Sequence, residues 1–434
     1  MKIGVIGTGY VGLVTAVCLA DLGHKVAGTD VIPEKIDKAS RGIAHIYEPG
    51  LEDLLRKNLK KGNLSFIHDL AKTIQSSDVL FVSVNTPQRE DGSADMTYVE
   101  GVSRKIADNL NSYKLIVEKS TVPVKTSNWI KRTISLHKKK EVDFDVASNP
   151  EFLREGSAVS DFLNPDRIII GVETERARDI LLSIYRKFKN KILVTNIDTA
   201  ELIKHASNSF LALKISYINL ISDLCEKTDA DIELVSKGMG LDPRIGSHFL
   251  RAGVGYGGSC FPKDIKALAR IGEDFGVDVN LLKEAERINL RRSELFLEKI
   301  KKALWILKDK KVAILGLSFK PQTDDIREAP SIKIIRKLLE EGSELRLYDP
   351  KAMENMRKIF PEKPPQIFYA KSSSEAIKGA NALLIITEWE EFKKLDLKKV
   401  KKLMANPIIV DGRNIFEPSQ VKSLGFEYYP TGRK

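Results

Sequence analysis

The sequence predicts an α/β protein built from two doubly wound parallel sheets joined by a long helix, and three stretches carry that prediction. Lys2–Ile6 is a short apolar run that passes at once into Gly7-Thr8-Gly9-Tyr10-Val11-Gly12 and a helical pattern through Leu22. Lys311–Gly316 opens a second strand–glycine–helix–strand unit of the same layout. Between them, Thr199 to about Asp229 contains neither Pro nor Gly. Apolar residues recur there at Leu202, Ile203, Ala206, Phe210, Leu213, Tyr217, Leu220, Ile221 and Leu224, giving a helix of roughly 40 Å. The expected architecture is two Rossmann-like doubly wound domains joined by a long central helix, divided at 1–197, 198–308 and 309–434.

Length and composition agree with several domains, since 434 residues exceed one ordinary core. The three cysteines, Cys18, Cys225 and Cys260, are far apart and odd in number. They show neither CxxC spacing nor a secretory pattern, which points to a reducing cytoplasmic setting without a structural disulfide, and no metal site is expected. Met1–Val11 carries no cleavage signal. No apolar run approaches the ~20 residues of a membrane span; Phe210–Leu224 comes nearest and contains Lys214 and Asp223. The net charge of +11 suits anionic ligands. Its lysines are dispersed, with small clusters only at Lys138–Lys140 and Lys398–Lys402, so neither nucleic acid nor membrane is expected as a partner.

In the first unit Gly23 ends the helix, Lys25–Thr29 reads as the second strand, and Asp30 falls at its end, eighteen residues past Gly12. A pyrophosphate belongs on the helix N-terminus and Asp30 on the ribose hydroxyls, an acid that favours NAD over NADP; a ligand-free tight turn is the plain alternative. Val79–Val84 leads into Asn85-Thr86-Pro87, and Leu115–Glu118 into Lys119-Ser120-Thr121-Val122-Pro123. These turns lie beyond the carboxyl ends of strands, where ligands bind, although for Thr86 or Thr121 taken singly ordinary helix capping is the stronger reading. After the strand Phe144–Ala147 comes Ser148–Gly156. If that segment is helical, Glu151 and Glu155 share a face. Strands at Arg167–Gly171 and Lys191–Val194 complete the unit near residue 197. On the long helix Lys204 and Asn208 break the apolar pattern at i and i+4. They are either an oxyanion-holding pair in a cleft or two exposed polar residues.

Gly253–Asp264 reads GVGYGGSCFPKD, with glycines at 253, 255, 257 and 258 that let the backbone approach a ligand. Pro262 suits a first helical turn, and Ile265, Leu268, Ala269 and Ile271 repeat helically, so Cys260 should stand just ahead of a helix N-terminus. The dipole and Lys263 favour thiolate there, and Asp264 is placed to orient a water. A buried structural cysteine in a tight turn is the competing reading. The second unit continues with a helix over Ser331–Glu341, a strand over Glu344–Tyr348, Asp349, and strands at Ala382–Thr387 and Pro407–Val410. It has Gly316-Leu317-Ser318-Phe319 in place of the full glycine fingerprint, so another nucleotide could bind there, with Lys320 and Arg413 at the rim.

Taken together, GTGYVG at 7–12, SVNTP at 83–87, EKSTVP at 118–123, NPEFLREG at 149–156, AELIKHASNSFLALKIS at 200–216, GVGYGGSCFPKD at 253–264, LGLSFKPQTDDIRE at 315–328 and DGRNIF at 411–416 resemble the UDP-glucose 6-dehydrogenases of the UDP-glucose/GDP-mannose dehydrogenase superfamily. The resemblance implies a homodimer through the long helix and oxidation of a sugar-nucleotide C6 alcohol to a carboxylate with two NAD. It casts Cys260 as the nucleophile, Lys204 and Asn208 as oxyanion stabilisers, Asp264 with Thr121 on water or a proton path, and Glu151 as general base. To NAD it assigns Gly7, Gly9, Tyr10, Val11, Gly12, Asp30, Lys35, Thr86, Thr121, Glu155, Lys263 and Arg327. To UDP-glucose it assigns Glu151, Phe152, Leu153, Lys204, Asn208, Phe249, Gly257, Lys320 and Arg413, with Arg244 reaching the neighbouring subunit's substrate. Lys125 stands where the family pattern often has glycine. GDP-mannose and UDP-N-acetylhexosamines are the alternative substrates. A two-electron enzyme of the 3-hydroxyacid type is the nearest rival, and it leaves Cys260 structural.

Overall fold

Strands buried on both faces are the signature of a parallel sheet sandwiched between helices, and this chain has two such sheets. In the computed structural model, which describes residues 1–89 and 91–434, the chain divides into two units: Met1–Ser207 with Arg270–Val277, and Asn208–Ala269 with Asp278–Lys434. The first unit holds β1 (Lys2–Ile6), β2 (Lys25–Thr29), β3 (Leu64–Phe66), β4 (Val79–Val82), β5 (Lys114–Glu118), β6 (Phe144–Ser148), β7 (Ile168–Gly171) and β8 (Ile192–Thr195). Their order is β3-β2-β1-β4-β5-β6-β7-β8, parallel except where β7 runs antiparallel to β6. Alternate residues of β4 enter two cores. Val79 and Phe81 join Leu13 and Val17, while Leu80 and Val82 join Ile106 and Ile134.

The second unit repeats the plan with β9 (Lys311–Leu315), β10 (Glu344–Tyr348), β11 (Ile367–Tyr369), β12 (Ala382–Ile385), β13 (Ile408–Asp411) and β14 (Glu427–Tyr429). The order is β11-β10-β9-β12-β13-β14, with every pair parallel. Val312 and Ile314 of β9 face one core and Ala313 and Leu315 the other. In both sheets the strand order reverses beside the first strand of the unit, and this opens the crevice in which such folds bind ligands. The long helix runs Ile197–Lys227, two residues earlier at each end than the sequence pattern suggested. Among the described residues no helix is long and apolar enough to cross a membrane.

The same backbone device closes both first strands. Gly7 has φ +89°, and a Cβ there would lie 2.6 Å from the Ser83 carbonyl oxygen; Gly316 has φ +97°, and a Cβ would lie 2.5 Å from Thr387. Gly316→Ala should therefore lower the thermal or urea midpoint, by roughly 1–3 kcal/mol of overpacking. Gly238→Ala, at a helical position with no heavy atom within 4 Å, should leave it unchanged or raise it.

Candidate active site

The first unit presents an anion site at the start of the helix Tyr10–Asp21. Its N-cap is Gly9, no side chain caps it, and no acidic residue occupies its first turn, so its N–H groups and positive dipole end are left for a ligand. Gly12 is obligatory for internal packing, since a Cβ there would sit 1.8 Å from the Gly7 carbonyl oxygen. Gly9 is different: its Cβ would meet only Asn85 Oδ1, at 3.8 Å, so that face of the turn is open to a pyrophosphate. Asp30 Oδ2 accepts the Thr8 N–H (2.8 Å) and lies 3.4 Å from Lys35 Nζ, while Oδ1 accepts the Ile32 N–H (3.0 Å). Burial works against its charge, but these backbone donors outweigh it and hold the carboxyl below its usual range. The arrangement fits the NAD assignment. Tyr10 and Val11 are half-buried beside it.

Tyr10 is steered by a residue the sequence reading missed. Glu48, buried, accepts the Tyr10 hydroxyl, the Gly156 N–H (2.7 Å) and the Ala158 N–H (2.7 Å). It thereby ties the glycine turn to the segment that carries Glu151 and Glu155. That segment is not helical before Ala158, so Glu151 and Glu155 do not share a helix face, contrary to the conditional expectation. Glu151 instead curls back to accept the Leu153 N–H at 2.6 Å and turns its other oxygen to Lys204 Nζ at 3.0 Å; both side chains are about 5% exposed or less. Phe152 is stacked by Arg167 at 4.1 Å, with Lys204 5.3 Å from the ring centroid.

Neither threonine caps a helix. The helices that follow begin at Thr97 and Thr126, and Thr86 Oγ1 donates to the Thr121 carbonyl (2.9 Å), joining the turns after β4 and β5. Behind them lie ionisable groups that sequence patterning did not single out. Lys119 donates to Asn149 Oδ1 (3.1 Å); burial, opposed by Glu151 and reinforced by Lys204, lowers its pKa to about 8. Glu118 is fully buried and raised to about 8 by desolvation, with the Ser120 hydrogen bonds opposing and Glu201 adding. Glu201 is raised to about 7, again by burial first, against the Ser127 and Lys125 donors. All three are buried, and removal from water makes their charged forms costly.

The second unit carries the cysteine. Cys260 stands immediately before the helix Phe261–Asp274, as its sequence context predicted, and its carbonyl accepts the Asp264 N–H at 2.8 Å. Ser259 Oγ is 3.6 Å from the sulfur. Asp264, 1% exposed, accepts Asn208 Nδ2 at 2.6 Å and lies 3.4 Å from Lys263 Nζ. Asn208 and, in the first unit, Lys204 are thus both buried and each engages a carboxylate, which rules out the exposed-polar alternative.

The glycines of this loop serve a purpose the sequence reading did not foresee. Rather than simply clearing space for a ligand, they let the loop press against its own unit. A Cβ on Gly257 would lie 2.3 Å from the Glu328 carbonyl oxygen, one on Gly258 2.8 Å from the Phe319 ring, and one on Gly253 2.6 Å from the Gly412 carbonyl oxygen. Arg413 donates to the Gly255 (3.2 Å) and Ile386 (2.7 Å) carbonyls. Lys320 lies 5.5 Å from the Phe319 ring centroid, and Arg327 is paired with Asp325. Phe249, at φ +64°, packs 6.0 Å from Phe261, while Arg244 is 87% exposed and paired with Asp242. Asp349 occupies the place Asp30 has in the first unit but is 1% exposed. It accepts the Leu317, Ser318, Lys351 and Ala352 N–H groups and the Trp389 indole, so it organises its loop instead of facing a ribose.

Residues 1–189 match the NAD binding domain of the UDP-glucose/GDP-mannose dehydrogenase family, residues 198–291 its central domain and residues 313–418 its UDP binding domain. The chain belongs to the UDP-glucose/GDP-mannose dehydrogenase family. It is 45% identical to the UDP-glucose 6-dehydrogenase YwqF of Bacillus subtilis over 434 residues, covering 100% of this chain and 98% of that one. Its fold is similar to that of a UDP-glucose dehydrogenase from the hyperthermophilic archaeon Pyrobaculum islandicum, with TM-score 0.92, 38% identity and coverage of 99% and 96%. It is also similar to a UDP-D-ManNAc dehydrogenase from Pyrococcus horikoshii, with TM-score 0.88, 31% identity and coverage of 100% and 99%. NAD is accordingly the cofactor of the first domain.

The buried carboxyls give a signed pH dependence. Glu118 and Glu201 have folded pKa values raised from 4.5 to about 8 and about 7, so the stability they confer is complete below about 4.5 and is lost as pH rises through those values. The melting midpoint should fall by a few degrees between pH 5 and pH 8, and Glu118→Gln should flatten that fall. Lys119, lowered from 10.5 to about 8, restores stability only above that window.

Proposed function

We propose that the chain oxidises UDP-glucose at C6 to UDP-glucuronate in two NAD-dependent steps, with Cys260 holding the carbon between them. The observation that carries this reading is the cysteine at a helix N-terminus, four residues before a buried Asp264 held by Asn208. The dipole there favours thiolate. A simple alcohol dehydrogenase has no use for such a group, whereas conversion of an alcohol to an acid needs the aldehyde retained. The Gly7–Gly12 turn and Asp30 would hold NAD, which would supply the hydride acceptor for each oxidation.

The residues divide the work as follows. The C6 alcohol loses a hydride and a proton to become an aldehyde. The Cys260 sulfur adds to its carbonyl carbon, and the oxygen takes a proton to give a thiohemiacetal. Loss of a second hydride and proton gives a thioester. Water, giving one proton to the base, then forms the new C–O bond; the C–S bond breaks, the Cys260 sulfur takes up the other proton, and the carboxylate product leaves. Lys204 and Asn208 stabilise the oxyanions, Glu151 acts as base for the water, and Asp264 with Thr121 holds that water. Tyr10, Val11, Lys35, Thr86, Glu155, Lys263 and Arg327 hold the cofactor. Phe152, Leu153, Phe249, Gly257, Lys320 and Arg413 hold the sugar nucleotide, with Arg244 serving the neighbouring copy.

UDP-glucose is favoured over N-acetylated sugars by the Bacillus and Pyrobaculum relatives, whose identities exceed that of the ManNAc enzyme. The layout 1–197, 198–308 and 309–434 completes the reading. Exposed Phe210 (61%), Tyr217, Leu220 and Leu224 (58%) along the long helix support a homodimer, and the cysteine pattern supports a cytoplasmic location. Exhaustive turnover of UDP-glucose should yield two NADH per sugar; one NADH, or preference for GDP-mannose or UDP-ManNAc in a side-by-side panel, overturns it. Cys260→Ala should cut uronate formation by more than about 10³-fold with NAD affinity nearly intact. Lys204→Ala should lower kcat by ~10²–10³.

A further inference from the structure

We propose that Glu201 is a positioning residue for the reaction: it holds the turn after β5 so that Thr121 and Lys204 keep a fixed register. The roles of those two residues rest on the function proposed above. Glu201 is 2% exposed and accepts the Lys125 N–H (2.6 Å), the Ser127 N–H (3.0 Å) and the Ser127 hydroxyl (2.7 Å). The helix Thr126–His137 starts here, and its N-cap Lys125 contributes no side-chain cap. Glu201 takes over that duty from a different helix, completing an N-terminus that local sequence leaves open.

The turn it holds is a costly one. Lys125 adopts φ 76°, the left-handed conformation that glycine takes freely and a lysine does not. One helical turn further along, His205 Nε2 donates to the Val122 carbonyl at 2.8 Å. The far side of the turn is fixed by Thr86 Oγ1 on the Thr121 carbonyl. Lys204 lies in the same turn of helix as Glu201 and His205 and is directed to Glu151. One helix face thus sets the place of the lysine and of the threonine turn together. Burying a carboxylate is expensive unless it is fully hydrogen-bonded, and here the donors come from the turn to be positioned.

The test compares folded variants at equal NAD saturation, on whichever sugar nucleotide the parent chain oxidises, so an error in the substrate assignment leaves the ratios readable. Glu201→Ala should lower kcat about 10²-fold, the size of a small misplacement, with the sugar-nucleotide KM nearly unchanged. Adding Lys125→Gly should recover about tenfold, because glycine enters the left-handed turn without the steric cost that the carboxylate otherwise offsets; Lys125→Gly alone should stay near the parent rate. If Glu201→Ala does not fold, Glu201→Gln, which keeps one acceptor oxygen, carries the comparison with an expected drop of about tenfold. Amide exchange over Ser120–Ser127 in the NAD-bound chain reads the register without turnover, and Glu201→Ala should lose protection there. A folded variant with kcat within threefold of the parent, a lowered melting midpoint alone, or unchanged exchange overturns the proposal.

Discussion

A polar turn buried inside the long helix is the constraint on which the first unit depends. Glu201, Lys204 and His205 lie on Ile197–Lys227 and are each 3% exposed or less. A carboxyl, an ammonium and an imidazole removed from water carry a desolvation cost that only matched partners offset. Those partners are the Lys125–Ser127 turn, Glu151 and the Val122 carbonyl. The helix cannot pack without drawing these loops to itself, and the loops come from the carboxyl ends of β5 and β6. Folding this unit and bringing these buried polar groups together are therefore the same event.

The two sheets show how one topology is put to two uses. Both reverse strand order beside their first strand, and both end that strand in a glycine with φ near +90°. The acid that closes the second strand then takes different paths. Asp30 keeps a carboxylate oxygen with a single backbone donor at the edge of an open glycine turn, whereas both oxygens of Asp349 are taken up by donors of its own loop, of the turn after β9 and of Trp389. Position in the fold is shared, but the ligand chemistry is decided by which lone pairs the chain has already used.

Much of this was legible in the sequence where a local rule sufficed. The first strand and fingerprint, the long helix and the placement of Cys260 before a helix all follow from periodicity and turn chemistry over a few residues. The edge strands β3, β11 and β14 escaped because three residues carry too little alternation to read. Glu48 and Glu201 escaped for a different reason. Each is a single carboxylate in an ordinary helical or turn context, and its partners lie 108 and 76 residues away in the chain. The non-helical course of Glu151–Arg154 was equally hidden, since it is imposed by the Lys204 ion pair and by Glu151 bonding its own Leu153 N–H. The left-handed Lys125 was visible only as a departure from a glycine pattern; the backbone kept the glycine conformation and Glu201 supplied the hold.

The cysteine loop is packed into the same unit as the matched UDP binding domain. Val254 N–H bonds the Gly412 carbonyl, Gly258 N–H bonds the Arg327 carbonyl, and Arg413 grips Gly255. Each contact lies between the loop and the rim of the sheet β9–β14, and the approach is close enough that a methyl group on Gly253 would collide with the Gly412 carbonyl oxygen, one on Gly257 with the Glu328 carbonyl oxygen and one on Gly258 with the Phe319 ring. On the proposed function, Lys320 and Arg413 at that rim bind the substrate, so sulfur and anchor belong to one packed frame. Binding energy gained on the nucleotide, remote from the reacting carbon, then fixes where C6 lies relative to Cys260. A loop with ordinary side chains would stand off from the rim by about the width of a methyl group, and at that distance the anchor would no longer aim the carbon at the sulfur.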